Sequence, residues 1–158
     1  MYRHDIYRFI DSIEHEYKYA GNYGAKGEKR QKKQKRSSED IQRQNQYQKT
    51  KRVRRIIKAN FRQGDYWITL TYQKGESRSV KEVCKDLSSF LRRIRTAYTR
   101  QDTACKYIYR IEIGSRGGIH VHMILNRLPD LDQALQSSWN QGRVHTEYLD
   151  NGTYEKLA

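Results

Sequence analysis

The chain has 158 residues, which corresponds to one ordinary domain with room for a small appendage. Its formal net charge is +14 and only 35% of its residues are hydrophobic, so a small core must coexist with a large basic surface. Such a surface attracts polyanions, of which nucleic acid is the commonest. No apolar run approaches the roughly 18 residues that span a bilayer, and no signal peptide is recognisable, so we expect no membrane partner. Cys84 and Cys105 fit neither a disulfide framework nor a cysteine-based zinc motif, which favours a cytoplasmic location.

The positive charge is concentrated near the N-terminus. Residues 26–58 contain fourteen Lys or Arg and three acidic residues, whereas the rest of the chain is nearly neutral. This density favours contact with phosphates, although a helix whose charges simply face water remains an alternative. The candidate phosphate-binding residues are Lys29, Arg30, Lys32, Lys33, Lys51, Arg52, Arg54 and Arg55.

Two helices are predicted in this N-terminal part. Apolar residues at helical spacing predict an amphipathic helix over residues 5–19. A second helix is predicted to start at the serine pair 37–38, which precedes two acidic residues, and to end near Asn60. We therefore predict a basic helical N-terminal arm over residues 1–60 and a separate domain over residues 61–158.

The pattern changes to a period of two in the segment DYWITLTYQ, residues 65–73, which predicts a half-buried strand. One face of this strand carries Tyr66, Ile68, Leu70 and Tyr72, and the other carries Trp67, Thr69 and Thr71.

The remaining segments predict an α+β fold. A helix from Val80 is followed by two strands joined by the glycine-rich GSRGG, then a helix from Pro129 to about Gly142. RVHTEYL predicts a last strand, and NGTYEKLA the start of a further helix. The order strand, helix, strand, strand, helix, strand is that of a ferredoxin-like antiparallel sheet, a split βαβ, with helices on one face. No GxxxxGK[ST] phosphate loop is present in the sequence.

Two histidines one residue apart interrupt the strand GIHVHMILN. If the hairpin turn is centred on Arg116, Glu112 lies opposite His120 and is the diagonal neighbour of His122. The same face then carries Arg110, while the other face is apolar. A register shifted by one residue would place the glutamate on the wrong side.

Glu112, His120 and His122 are therefore predicted to converge as a three-ligand set for a divalent metal. Imidazole nitrogen with carboxylate oxygen suits Mn²⁺, Mg²⁺, Co²⁺ or Zn²⁺ about equally. The alternative is a pair of partly exposed strand histidines with no ligand role.

Several segments resemble one family. IHVHMIL resembles the histidine–hydrophobic–histidine signature of the HUH endonucleases, and WITLTY the strand motif that precedes it in replication initiators. YRIEIGSRGGIHVH resembles the segment in which a strand glutamate completes the metal site, and SSWNQGRVHTEYL the passage that follows in Rep proteins of small phages and plasmids. The basic arm is similar to that of initiators from phage-like and plasmid elements of Gram-positive bacteria.

The resemblance implies a rolling-circle replication initiator that nicks and joins single-stranded DNA or an origin hairpin in a bacterial cytoplasm. It implies Mn²⁺ or Mg²⁺ held by Glu112, His120 and His122, and cooperation with a host helicase and polymerase. It also implies a tyrosine nucleophile that stays attached to the 5′ end of the cleaved strand. The same chemistry rejoins the ends without ATP, in agreement with the missing phosphate loop.

The nucleophile is the part of the expected site that the residues define least. In the family it lies on a helix downstream of the histidines, with a lysine about three positions later, whereas Tyr154 here precedes Lys156 by two. We expect the chain to end short of the usual tyrosine, beyond Ala158, and keep Tyr154 as the candidate within it. Arg110, Arg116, Trp67, Thr69 and Thr71 are the candidate DNA contacts of the domain.

Three other functions remain open. A non-catalytic module with an RRM-like sheet explains the charge and Trp67, but not the convergence of a glutamate with two histidines. A metal-dependent nuclease that uses water in place of tyrosine needs the same ligands. A relaxase or transposase of the same superfamily is the third, and the flanking motifs favour the initiator over it.

Overall fold

The computed structural model describes residues 2–20, 27, 36–76, 78–114 and 117–150. In these ranges the elements are β1 Tyr2–Arg8, β2 Ile13–Tyr19, α1 Ser38–Asn60, β3 Tyr66–Thr71, α2 Val80–Arg100, β4 Tyr107–Ile113, β5 Ile119–Leu125, α3 Leu131–Ser138 and β6 Val144–Tyr148. Within the same ranges, no helix combines the length and the apolar character needed to cross a bilayer.

Strands β3 to β6 form one antiparallel sheet in the spatial order β4-β5-β3-β6. The units β3-α2-β4 and β5-α3-β6 each contribute one central and one outer strand. The ferredoxin-like fold predicted from the order of elements is therefore confirmed.

The main core lies between this sheet and the helices α2 and α3. The alternation predicted for β3 is confirmed, because Ile68 and Leu70 are fully buried in this core. Helix α2 begins at a capping box in which Ser79 and Glu82 satisfy each other's backbone amides. Trp139 follows α3 and is buried, and its indole Nε1 donates to the carbonyl oxygen of Thr71 at 2.9 Å. Helix α3 ends at Ser138, earlier than the predicted end near Gly142.

Helix α1, predicted as part of the N-terminal arm, also packs on the sheet. The C-terminal half of α1 lies on the opposite face, where Ile57 and the following Phe61 pack with Trp67 and Ile124. The reason is that this face is apolar at one end, with Trp67, Ile124 and Ile108 in one row across three strands. Removing this apolar row from water is favourable, and the thin apolar stripe of α1 packs over it.

The helix predicted over residues 5–19 is wrong. This segment forms an antiparallel two-stranded ribbon, β1 and β2, in which Tyr2 pairs with Tyr19 and Arg8 with Ile13. Its alternate residues Glu14 and Glu16 face the cations of α1, so a charged face rather than an apolar one is turned towards the rest of the molecule. Helix α1 itself begins after the N-cap Ser37 and ends at Asn60, as predicted.

Candidate metal-binding and nucleic-acid-binding face

The register of the β4–β5 hairpin is the one expected from the sequence. Glu112 pairs with His120, and Arg110 pairs with His122, so all four side chains project from one face of the sheet. The opposite face carries Ile111 and other apolar residues of the core. Ile113 on the same face is 61% exposed, although its partner Ile119 across the strands is buried in the core.

The closest contact in this group joins Glu112 and His122. Glu112 Oε2 lies 3.2 Å from His122 Nε2, although the two residues are diagonal rather than directly opposed. The His122 side chain is 24% exposed and the Glu112 side chain 53% exposed. The ring of His120 lies beside that of His122, with centroids 6.4 Å apart and planes 21° apart. The pair is thus open to solvent and to ligands on one side.

Two residues of β3 hold the His122 ring from the other side. Thr69 pairs with His122 across the strands, and its Oγ1 lies 3.2 Å from His122 Nδ1. The Trp67 ring stacks on the imidazole, with centroids 5.7 Å apart. Because Nδ1 is engaged by a hydroxyl and the ring rests on an indole, the orientation of His122 is fixed and its Nε2 points to Glu112.

The polar surface extends beyond these residues. Thr71 pairs with His120, so it belongs to the same face, and its Oγ1 donates to the carbonyl oxygen of Arg143. On the far side of Thr69 lies His145, whose Nε2 contacts Glu147 Oε1 at 3.1 Å. Both side chains of this second pair are well exposed. The histidine face is therefore a polar strip that crosses all four strands.

The described part of the chain contains no group of three or more His, Cys, Asp or Glu side chains already arranged around a metal position. Glu112 Oε2 and His122 Nε2 are 3.2 Å apart, whereas the ring centroids of His120 and His122 are 6.4 Å apart. The donor set nevertheless fits a divalent cation, because two imidazoles and a carboxylate share one exposed face of neighbouring strands.

Comparison with family models gives a match to the Replication-associated protein ORF2 family over residues 65–156, which is more than half of the chain. The chain belongs to this family. No curated protein matches it, and no solved structure does. The matched region begins at β3 and includes the whole four-stranded sheet, so the histidine face lies inside the part that defines the family.

Trp67 of this replication-associated protein is covered and does not form an exposed platform for base stacking. Its side chain is 7% exposed and packs under Ile57 and Phe61. A base can therefore reach the Trp67 ring only if α1 moves away. Thr69 and Thr71 remain on the uncovered part of the face.

Three of the predicted phosphate contacts on α1 are paired with the ribbon. Lys51 donates to Glu16, Arg54 to Glu14, and Arg55 to both glutamates. Lys58, which was not among the predicted contacts, donates to Glu14 at 2.9 Å. Glu14 and Glu16 thus offset part of the charge of these four cations. Arg52, one position after Lys51, is exposed.

The glutamates in this cluster are held strongly in the charged form. Partial burial of Glu14 disfavours its charge, but hydrogen bonds from Lys58 and Arg55 outweigh it and lower the pKa to about 2. Hydrogen bonds from Lys51 and Arg55 likewise lower the pKa of Glu16 to about 2. The acidic residues of β2 were not identified from the sequence as partners of α1. The alternation of Glu14, Glu16 and Lys18 is the signal that could have identified a strand with one charged face turned to a basic neighbour.

Several predicted residues lie outside the described ranges. These are the candidate nucleophile Tyr154 and the predicted contacts Arg116, Lys29, Arg30, Lys32 and Lys33. Their roles stay predictions.

Proposed function

We propose that this replication-associated protein is an initiator of the HUH type that nicks and rejoins single-stranded DNA through a phosphotyrosine intermediate. The observation that carries the proposal is the placement of Glu112, His120 and His122 on one open face of adjacent strands, inside the family-defining region. A structural role alone gives no reason to expose two imidazoles and a carboxylate together on a strand pair.

Glu112, His120 and His122 would hold a Mn²⁺ or Mg²⁺ ion, since the donor set suits both. When bound, the ion supplies a Lewis acid for the scissile phosphate. Thr69 and Trp67 would keep the His122 ring oriented throughout, because they contact the edge and the face of the imidazole away from the substrate. Arg110, directly opposite His122, would donate to a phosphate oxygen of the bound DNA strand.

The reaction itself would be a transesterification. The hydroxyl of a tyrosine, with Tyr154 as the candidate in this chain, loses its proton and attacks the phosphorus. A bond forms between the tyrosine oxygen and phosphorus, the bond to the 3′ oxygen breaks, and that oxygen leaves as a 3′-hydroxyl that can prime a polymerase. Because one phosphodiester replaces another, the reverse step rejoins the strand without ATP.

The residues on the open face of the sheet do not favour the RRM-like alternative. In the described strands of the sheet, Trp67 is the one Trp, Tyr or Phe on that face, and it is buried under α1. Among the described residues, the open face therefore presents no exposed ring for base stacking. A nuclease that uses water shares the proposed ligands and differs in its products.

The test is incubation with single-stranded origin DNA and Mn²⁺, followed by a denaturing gel. The proposal expects a covalent protein–DNA adduct whose formation requires His120 and His122, from this chain if Tyr154 is the nucleophile and from a chain extended past Ala158 if it is not. His145→Gln is the matched histidine control outside the ligand set. Loss of the adduct in Tyr154→Phe would identify that residue as the nucleophile. Cleaved strands without any adduct, still dependent on both histidines, would contradict the tyrosine step and favour water.

A further inference from the structure

The ribbon β1–β2 contacts the rest of the molecule through its charged face, which a soluble hairpin normally turns to solvent. Its inner face carries Asp5, Glu14 and Glu16, and their charges meet Lys18 within the ribbon and four cations of α1. Its outer face, defined here as the eight residues that alternate with them, faces solvent and consists of Tyr2, His4, Ile6, Arg8, Ile13, His15, Tyr17 and Tyr19. Five of these eight side chains carry aromatic rings.

The aromatic rings of the outer face contact one another across the two strands. His4 lies between its neighbours, with ring centroids 4.3 Å from Tyr17 and 5.1 Å from His15, and it is nearly parallel to Tyr17 at 10°. His4 Nε2 and His15 Nδ1 are 2.9 Å apart, which links the two strands by a hydrogen bond. At the end of the ribbon the rings of Tyr2 and Tyr19 are 5.3 Å apart.

Much of this aromatic surface remains free. Tyr2 is 70% exposed, Tyr17 is 66% exposed and Tyr19 is 65% exposed. Tyr17 uses one face of its ring on His4, so the opposite face is open. Exposed aromatic faces of this size are unfavourable in water and are typical of surfaces that bind a flat partner.

We propose that the outer face of the ribbon binds the bases of single-stranded nucleic acid by stacking, as a second site separate from the histidine face. The choice of ligand rests on the proposed action on single-stranded DNA. The charge distribution supports it, because the chain continues from Tyr19 into residues 20–36, which contain seven Lys or Arg and one acidic residue. Stacking rings on a strand that continues into a cationic sequence provide the two elements that bind single strands without sequence preference.

A second copy of the chain is a poorer occupant of this face. Two strands of seven residues cover an area of roughly 24 Å by 10 Å, on the order of 240 Å². A stable protein interface needs about 800 Å² from each partner. The outer face includes the aliphatic Ile6 and Ile13, but most of it consists of tyrosine and histidine rings, which suit bases better than an apolar protein core.

The test is binding of fluorescein-labelled oligodeoxythymidine to the full chain, measured by fluorescence anisotropy in EDTA so that no metal-dependent cleavage can occur. Tyr17→Ala and Tyr19→Ala are each expected to raise the Kd roughly 5- to 150-fold, with little change in the salt dependence. Tyr17→Phe keeps the ring and should bind within about twofold of the wild type. Tyr47→Ala removes a tyrosine of α1 that is 62% exposed and serves as the matched control.

Unchanged affinity in both ribbon variants, or an equal loss in Tyr47→Ala, would overturn the proposal. So would a dimer in sedimentation velocity that dissociates in Tyr17→Ala, because the outer face would then bind a second copy. In the unaltered protein with Mn²⁺, absence of nicking together with oligonucleotide binding that depends on Tyr17 and Tyr19 would contradict the proposed chemistry alone.

Discussion

Glu112 and His122 contact each other at 3.2 Å across two neighbouring strands, although they are diagonal and not opposed in the register. The contact is made possible by the His122 ring, which is turned towards Glu112 by Thr69 on its other edge. The pair and its threonine thus form one polar unit that crosses strands β4, β5 and β3.

Thr69 is expected to act as a positioning residue for His122. Thr69→Val keeps the shape of the side chain but removes the oxygen that contacts Nδ1, so the imidazole loses its fixed orientation. We expect Mn²⁺ affinity to fall about 10- to 100-fold, the usual effect of removing such a partner, with little change in stability. Mn²⁺ titration followed by electron paramagnetic resonance measures this. Thr69→Ser, which retains a hydroxyl, should restore most of the affinity; equal losses in both variants would contradict the role.

Ile57 should contribute strongly to the free energy of unfolding, because it is fully buried between α1 and the sheet. Ile57→Ala is expected to cost about 2–5 kcal/mol. The neighbouring Ile56 is 43% exposed, and Ile56→Ala should change stability by less than about 1 kcal/mol. Urea denaturation of both variants provides the measurement. Similar effects at the two positions would show that α1 does not pack on the sheet as described.

The ion pairs that attach the ribbon to α1 should be lost at acidic pH. Glu14 and Glu16 have a pKa of about 2 in the folded protein, below the ordinary value of 4.5 for a free glutamate. A lowered pKa means that these ion pairs contribute fully above about pH 4.5, and that their contribution is lost as the pH falls towards 2. Titration of the side-chain carboxyl carbons by nuclear magnetic resonance tests this.

Lys58 provides a control within the same cluster. Lys58→Met removes a hydrogen bond to Glu14, so the pKa of Glu14 should rise towards 4.5. Lys49→Met changes an exposed cation on the same helix and should leave this pKa in place. A pKa near 4.5 for Glu14 in the unaltered protein would show that the ribbon is not held by these ion pairs.

Adjacent cations of α1 should differ in their contribution to DNA binding. Arg52 is exposed, whereas Lys51 is only 11% exposed and donates to Glu16. If α1 contacts phosphates, Arg52→Gln should reduce the slope of log K against log salt by about 0.7 on single-stranded DNA, and Lys51→Gln should change it much less. Anisotropy titrations at several salt concentrations measure both slopes. Equal reductions would mean that Lys51 leaves Glu16 when DNA binds.

The sheet and its polar face could be predicted from the sequence because the signals are local. The alternation from Tyr66 to Tyr72 assigns each side chain to a face, and the glycine-rich turn between β4 and β5 sets the register that places Glu112 opposite His120. Neither inference needs knowledge of distant contacts. The contact of Thr69 with His122, by contrast, depends on which strand lies next to β5, and the order of strands follows only from the whole fold.

The errors concern contacts between segments far apart in the chain. Residues 5–19 fit both a helical spacing and a period of two, and the choice is decided by Glu14 and Glu16 meeting the cations of α1 about forty residues later. Trp67 was placed on the correct face, but its burial depends on Ile57, which the local pattern of β3 does not contain. Tertiary contacts override local periodicity in both cases.

The central claim is that Glu112, His120 and His122 together bind one divalent ion. The most direct measurement is Mn²⁺ binding to the unaltered protein and to Glu112→Gln, His120→Gln and His122→Gln, followed by electron paramagnetic resonance, with His145→Gln as the control. We predict one site in the unaltered protein and in the control, and loss of that site in each of the three variants. Binding in all three variants with the affinity of the control would contradict the claim.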